Sequence, residues 1–312
     1  MIYNDVENLT DVLEFYLMAL SEEPELQLLL FGLFLSVYLV TVLGNLLIIL
    51  VIIFDSNLHT PMYYFLSKLS LIDIFFISTT IPKMIVGIKM HSRAISYAGC
   101  LTQMSFFLFF VCMDDMILTV MAYDRFVAIC HPLHYTVIMN PQVCVILILL
   151  SFSVSIFDSQ LHNLIVLQVT CFKDMEIENF FCHPSQLLNL ACTNTLSSNI
   201  VIYFIGIILG IFPVLGIILS YCKIIFSILK MPSSNGKYKA FSTCSSHLSV
   251  VCLFYGTGIG VYLGSVVSHS PRKNAMASLM YTAVSPMLNP FIYTLRNRDI
   301  CNALKRFHSR LF

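Results

Sequence analysis

Leu26-Gln27-Leu28-Leu29-Leu30-Phe31-Gly32-Leu33-Phe34-Leu35-Ser36-Val37-Tyr38-Leu39-Val40-Thr41-Val42-Leu43-Gly44-Asn45-Leu46-Leu47-Ile48-Ile49-Leu50-Val51-Ile52-Ile53-Phe54 contains no charged residue. About 20 apolar residues in a helix cross the hydrocarbon of a bilayer, so this stretch crosses with some tilt. It lacks the two-residue alternation of a barrel strand and reads as a helix. Six further stretches follow, at 59–84, 97–130, 142–167, 197–229, 240–263 and 274–295. Residues 296–312 place Ile300, Leu304 and Phe307 among Arg and Lys, the pattern of a short helix lying on a membrane surface. The expected fold is an all-α membrane protein, a seven-transmembrane helix bundle with a short C-terminal amphipathic helix. Residues 1–25 are expected as an extracellular tail, 26–295 as the membrane domain and 296–312 as a cytoplasmic helix and tail.

Composition supports the same class. Of 312 residues, 58% are hydrophobic and only 11% charged, too few to clothe a water-soluble surface. Formal net charge is zero, so no basic patch points to nucleic acid. Residues 1–25 hold seven acids and no Lys or Arg, unlike a cleavable leader, so the first span is expected to stay as a signal-anchor. The tail carries the sequon Asn8-Leu9-Thr10, a glycosylation acceptor if it lies outside. With the tail outside, eleven of the 17 Lys and Arg fall on the inner side, as the positive-inside rule requires.

Of the eleven cysteines, Cys100, Cys171, Cys182 and Cys192 fall on the outer side. An even number in an oxidising compartment suggests two disulfides, for which spacing alone allows three pairings. Asp73 lies mid-span in the second helix, and Asp114 and Asp115 in the third. Buried acids are costly in lipid and must face the bundle interior. Adjacent helical residues point ~100° apart, so only one of the pair shares a pocket with Asp73. Asn45 and Asn289 bring amides to similar depth, which suits either a sodium ion or a shared proton in a hydrogen-bonded core. No other cofactor is expected. Asp124-Arg125 ends the third span as an ion pair, and Pro213, Pro286 and Pro290 bend the fifth and seventh.

Met121-Ala122-Tyr123-Asp124-Arg125-Phe126-Val127-Ala128-Ile129-Cys130, running into His131-Pro132-Leu133-His134-Tyr135, resembles the third-span signature of vertebrate odorant receptors. Leu58-His59-Thr60-Pro61-Met62-Tyr63-Tyr64-Phe65-Leu66-Ser67 is similar to the family's second span. Lys239-Ala240-Phe241-Ser242-Thr243-Cys244-Ser245-Ser246-His247-Leu248 resembles its sixth, and Pro286-Met287-Leu288-Asn289-Pro290-Phe291-Ile292-Tyr293 its seventh. Gly44-Asn45 and Ser220-Tyr221 complete the set, and the likeness runs over nearly the whole chain. Its details are similar to the class II, or tetrapod, branch of these rhodopsin-like G-protein-coupled receptors.

The resemblance implies an odorant bound in the outer half of the bundle. Inward movement of spans three, six and seven would then open a cytoplasmic cleft for the stimulatory, olfactory-type G protein and raise cyclic AMP. It implies the disulfides Cys100–Cys182 and Cys171–Cys192. It makes Asp124, Arg125, Tyr221, His247, Asn289, Pro290 and Tyr293 the switch and coupling residues, with His247 holding the inactive state. Asp73 with Asp114 would match the class's sodium site. Three positions vary: Phe126 follows Asp-Arg where Tyr is more usual, His183 follows the loop Cys where an acid is common, and Tyr255 takes the place of a toggle Trp, as is usual in this family.

Helical turns counted from these landmarks point to Phe107, Leu108, Val111 and Cys112 on span three as pocket residues. Ile205 and Leu209 follow on span five, Tyr255, Gly258, Ile259 and Tyr262 on span six, and Thr282 on span seven. The set is mostly apolar and suits a small volatile ligand held by desolvation, with Tyr255, Tyr262 and Thr282 as hydrogen-bonding handles. It holds no acid or base, so an amine is not expected. A transporter would carry charged or broken helices along a whole path, and an enzyme a nucleophile–base pair; neither pattern is present and no catalytic residue is assigned. A receptor of this class for a non-volatile ligand, expressed outside olfactory tissue, is the alternative reading. Expected partners are a small volatile ligand, a heterotrimeric G protein and membrane lipid, in the plasma membrane with the N-terminus out and the C-terminus in.

Overall fold

The computed structural model describes residues 14–21, 23–267 and 270–311. Seven long helices form a bundle: α1 (Pro24–Phe54), α2 (Pro61–Met90), α3 (Tyr97–Cys130), α4 (Pro141–Leu167), α5 (Leu196–Lys230), α6 (Ser234–Val267) and α7 (Pro271–Arg296). An eighth helix, α8 (Arg298–Leu311), follows α7. The five from α1 to α5 are long and apolar enough to cross a membrane by length and composition. The more polar α6 and α7 pack against each other and complete the bundle.

Local sequence explains where these helices begin. Pro stands in the first turn of α1, α2, α4 and α7, where a missing N–H costs nothing. Ser96 and Asn140 cap α3 and α4 by accepting the Gly99 and Val143 amides at 3.1 and 2.9 Å. The second helix runs past its expected end at residue 84 to Met90. It stops where His91 adopts a left-handed backbone, φ 51°, and the Ser92 amide reaches the Gly87 carbonyl at 3.1 Å. Asn297 separates α7 from α8: its Oδ1 accepts the Asp299 and Ile300 amides at 3.0 and 3.3 Å.

Helix α3 is the centre of the bundle and touches α2, α4, α5 and α6. Its Ile117, Leu118, Met121 and Ala122 are buried in the main apolar core. The outer faces remain apolar and exposed, as at Phe212, 68% exposed, and Phe226, 67%. Such surface needs hydrocarbon around it. At the Arg125 end, α8 is tied to the rest. Arg306 donates to Asp55 at 2.9 and 2.6 Å, Tyr63 donates to Asp299 at 3.0 Å, and Phe307 stacks on Phe54. The Arg306 hydrogen bond holds the half-buried Asp55 carboxyl below its usual range.

Within the N-terminal segment, Glu14–Leu17 form a strand, β1, between β2 (Ala94–Ser96) and β3 (Glu176–Ile177). β1 pairs antiparallel with β2 and parallel with β3. Alternation explains it: Phe15 and Leu17 are buried while Glu14 and Tyr16 face outward. Phe15 packs edge-on against Phe172 at 5.1 Å.

Gly44 of α1 lies against Pro290 of α7, where an added Cβ would sit 3.2 Å from the proline ring. Gly44→Val should therefore push α1 from α7 and destabilise the bundle by about 1–3 kcal/mol. A thermal midpoint equal to wild type in detergent would contradict that contact.

Candidate functional site

The end of the bundle around Arg125 holds a set of interhelical latches. Arg125 Nε donates to Asp124 Oδ2 at 2.9 Å, with a second bond from its Nη2, and Tyr135 donates to Asp124 Oδ1 at 2.7 Å. Asp124 is fully buried, so these donors are its solvation. A second latch joins three helices. Tyr221 of α5 and His247 of α6 lie 2.7 Å apart through OH and Nδ1, and His247 Nε2 faces the Leu118 carbonyl of α3 at 3.1 Å. A carbonyl only accepts, so Nε2 carries the proton and Nδ1 accepts from Tyr221. His247 is fully buried.

A polar layer lies deeper in the bundle. Asn289 of α7 donates to both oxygens of Asp73 at 3.1 and 3.0 Å. Asn45 donates to the Pro286 carbonyl at 3.1 Å, one of the positions a helical proline leaves without its usual donor nearby. Asp114 is a close electrostatic neighbour of Asp73. Oxygens of Asn45, Asp114 and Asn289 are buried without a hydrogen-bond partner among the described residues. Orphaned acceptors beside paired acids fit a cation, a proton or a water donor. Tyr293 is also buried, its hydroxyl unpartnered among the described residues.

The opposite end is closed by a disulfide-tied lid. Cys100 of α3 joins Cys182, and Cys171 joins Cys192. The Cys182 amide donates to Gln103 Oε1 at 3.0 Å, and Gln103 donates to the Thr79 carbonyl at 3.1 Å. These contacts set Phe181 over Phe107, ring centroids 4.8 Å apart, and Phe107 against Phe76 at 5.4 Å. His183 follows in the lid, 3.0 Å from the Ser185 hydroxyl. Burial, then the neighbouring His162, push its pKa down to about 4.

The structure sorts the expected pocket residues. Phe107 is buried beneath the lid, with the half-buried Leu108 and Val111 packed in the same apolar cluster, and Cys112 is also buried. Ile205 packs toward the α4–α5 seam and Leu209 is half-buried on α5. Tyr255 reaches across to α3 and donates to Asp115. Gly258 leaves room beside Tyr281, where an added Cβ would lie 3.5 Å from the ring. Thr282 is fully buried, and its hydroxyl donates to the Ser278 carbonyl at 2.8 Å, which leaves its oxygen free only to accept. Ile259 is corrected: 57% exposed, it shares the outer stripe of α6 with Cys252 and Gly256 rather than facing the interior. The Tyr262 side chain and Asn8 lie outside the described residues.

Helical counting missed three groups. Asp115, which the sequence suggests only for the cation layer, accepts the Tyr255 hydroxyl. Gln103 was not singled out; nothing in its neighbours marks it before the disulfide places the loop. On α4, Ser151, Ser155, Asp158, Ser159 and His162 are all buried. His162 Nδ1 meets the Asp158 carboxylate at 3.2 Å, and Ser159 donates to the Ser105 carbonyl at 2.8 Å. The spacing of that polar stripe, three and four residues apart, was the available signal.

This bundle, with its lidded end and its latched end, has a rhodopsin-like fold. The crystal structure of squid rhodopsin superposes with a TM-score of 0.72 at 17% identity, over 93% of this chain and 87% of that one. The family model described as "Olfactory receptor" matches residues 34–310. Human olfactory receptor 7E24 is 67% identical over 309 residues, 99% of this chain and 91% of that protein. Mouse olfactory receptor 7E178 is 66% identical over 300 residues, 96% and 91% of the two chains. The chain belongs to the olfactory receptor family. It is a receptor of the multi-pass membrane type and not an enzyme.

The depressed pKa of His183 has a sign. The unfolded imidazole titrates near 6.5, so the folded lid holds fewer protons below that value. Stability is fully present above about pH 6.5 and is lost as pH falls towards about 4. Thermal midpoints measured across that window should fall more steeply in wild type than in His183→Asn. Parallel curves would show that the lid imidazole does not titrate this way.

Proposed function

We propose that this chain binds a small, mostly apolar volatile molecule beneath the disulfide-tied lid and activates a stimulatory, olfactory-type G protein, raising cyclic AMP. One observation carries the reading. Tyr255 and His247 sit on the same helix, α6, and both hold α3, through Asp115 and the Leu118 carbonyl. They are eight positions apart, ~12 Å along a helix. A ligand that displaces the Tyr255 ring therefore moves the segment that carries the lower latch. Release of His247 and Tyr221 frees α6 from α3 and α5 and opens the Arg125 end to a G protein.

Phe107, Leu108, Val111 and Cys112, with Tyr255, Gly258 and Leu209, form the proposed ligand surface. A volatile ligand has few heavy atoms, so its affinity rests on desolvation and stays modest. The lid end faces outward and the Arg125 end the cytosol, in keeping with the Lys and Arg distribution. Residues 1–25 then lie outside, with Asn8 available for glycosylation, 26–295 form the membrane domain, and α8 lies on the inner lipid surface within 296–312. Asp73 and Asp114, with the Asn45 and Asn289 oxygens, would hold either sodium or a shared proton.

Arg125→Ala should abolish ligand-driven cyclic AMP while surface expression persists; undiminished signalling would refute the switch. If the Asp73 layer holds sodium, replacing sodium by a large organic cation at constant ionic strength should raise basal cyclic AMP in wild type and leave Asp73→Asn unmoved. Equal responses from both would favour the protonated core.

A further inference from the structure

A cavity of about 300 Å³ lies at the lid end, to one side of the lid, and shares no residue with the ligand surface proposed above. One wall is the end of α2, at Met84, Gly87 and Ile88, and another is the chain from Leu17 to Ser21 as it leaves β1. That second wall is held from three directions. The Leu17 amide donates to the Arg93 carbonyl at 3.0 Å and the Met18 amide to the Asn179 carbonyl at 3.0 Å. Arg272 of α7 donates to the Leu20 carbonyl at 2.9 Å.

The lining is one-sided in charge. Lys83, His91 and Arg93 contribute to it, and among the described residues no Asp or Glu does. Lys83 gives one N–H to the Ala94 carbonyl at 2.8 Å and keeps two. Among the described residues no acid lies within ion-pair distance of Lys83 or Arg93. A cleft lined by one sign of charge focuses its field on the space between its walls and draws in the opposite charge. Gln27 of α1 adds a second demand. Its Nε2 donates to the Ser21 carbonyl at 2.9 Å, while its Oε1 is buried with no partner among the described residues. A buried amide oxygen calls for a donor. Met84, Ile88 and Phe180 make the rest of the lining apolar.

We infer that this cavity binds a small carboxylate that also carries a hydrogen-bond donor and a short apolar body, as a hydroxy acid does. Arg93 and Lys83 receive the carboxylate, Gln27 Oε1 accepts from the donor, and Met84, Ile88 and Phe180 cover the body. The volume is at the low end of the ~300–1,000 Å³ range of small-molecule sites, so it suits one small anion and leaves no room for the acyl chains of a phospholipid. Occupancy reaches the lid through Phe180, because its neighbour Phe181 covers Phe107 and Asn179 holds Met18. A bound acid therefore braces residues 179–181.

The full-length receptor in phosphatidylcholine nanodiscs is titrated with phenyllactate and followed by saturation-transfer NMR. Phenyllactate should bind about tenfold more tightly than phenyllactamide, which lacks the charge, and about fivefold more tightly than hydrocinnamate, which lacks the hydroxyl. Arg93→Gln should weaken phenyllactate about tenfold, and Lys83→Gln gives an independent test of the charge should the first variant fold poorly. Gln27→Leu should lower phenyllactate to the affinity of hydrocinnamate and leave hydrocinnamate unmoved. Amide exchange of residues 179–181 should slow at saturating phenyllactate. No saturable binding, equal affinity for acid and amide, indifference to both charge variants, or equal displacement by inorganic phosphate would overturn the site. So would binding that survives Arg93→Gln and is lost in Phe107→Ala, which would put the acid beneath the lid. A Gln27→Leu receptor that still prefers phenyllactate would overturn the donor contact, and unchanged exchange would overturn the brace and leave the site standing.

Discussion

A hydrogen-bonding group inside hydrocarbon has no solvent to fall back on, so each buried polar side chain of this bundle must find its partner on another part of the protein. That constraint organises the molecule. Asp73 is held by Asn289, Asp115 by Tyr255, His247 by Tyr221 and the Leu118 carbonyl, and Asp124 by Arg125 and Tyr135. Each contact bridges different elements except Asp124–Arg125, which is local. Between them the apolar core supplies most of the burial but no direction. The polar pairs set which helix faces which, and they are few enough that losing one changes the arrangement. Such a design suits a device with two states, because a small number of discrete bonds can exchange together while the packing between them persists.

The two ends obey different rules. The lid end is pinned covalently by Cys100–Cys182 and Cys171–Cys192 and stitched by a small sheet. The Arg125 end is held by hydrogen bonds, ion pairs and ring contacts, including those of α8 with Asp55, Phe54 and Tyr63. Under the proposed function, permanent ties lie where the ligand would be enclosed and exchangeable ties where the G protein would dock. Helix α3 carries both, with Cys100 at its first turn and Arg125 near its last.

Much of this was legible in the chain. Long, mostly apolar runs marked the spans, and the motif around Asp124-Arg125 marked the family. Asp73, Asp114, Asn45 and Asn289 announced a shared layer because acids and amides are costly in lipid unless clustered. Other features were not legible. The strand at Glu14–Leu17 has only four residues, too short to be read without the two edges it joins. Ile259 looked like a pocket residue by helical counting, and the rotation of α6 turned it outward.

What the sequence determined by itself is the solvent, the number and order of the helices, and the identity of the groups that lipid forbids to stand alone. These follow from composition and period, which are local properties of a chain. Only the tertiary structure decided which partner each group takes: Tyr255 for Asp115, Gln103 for the lid, Tyr135 for Asp124. Partner choice depends on the rotation and depth of helices relative to one another. A turn of ~100° per residue converts a small change in either into a different neighbour.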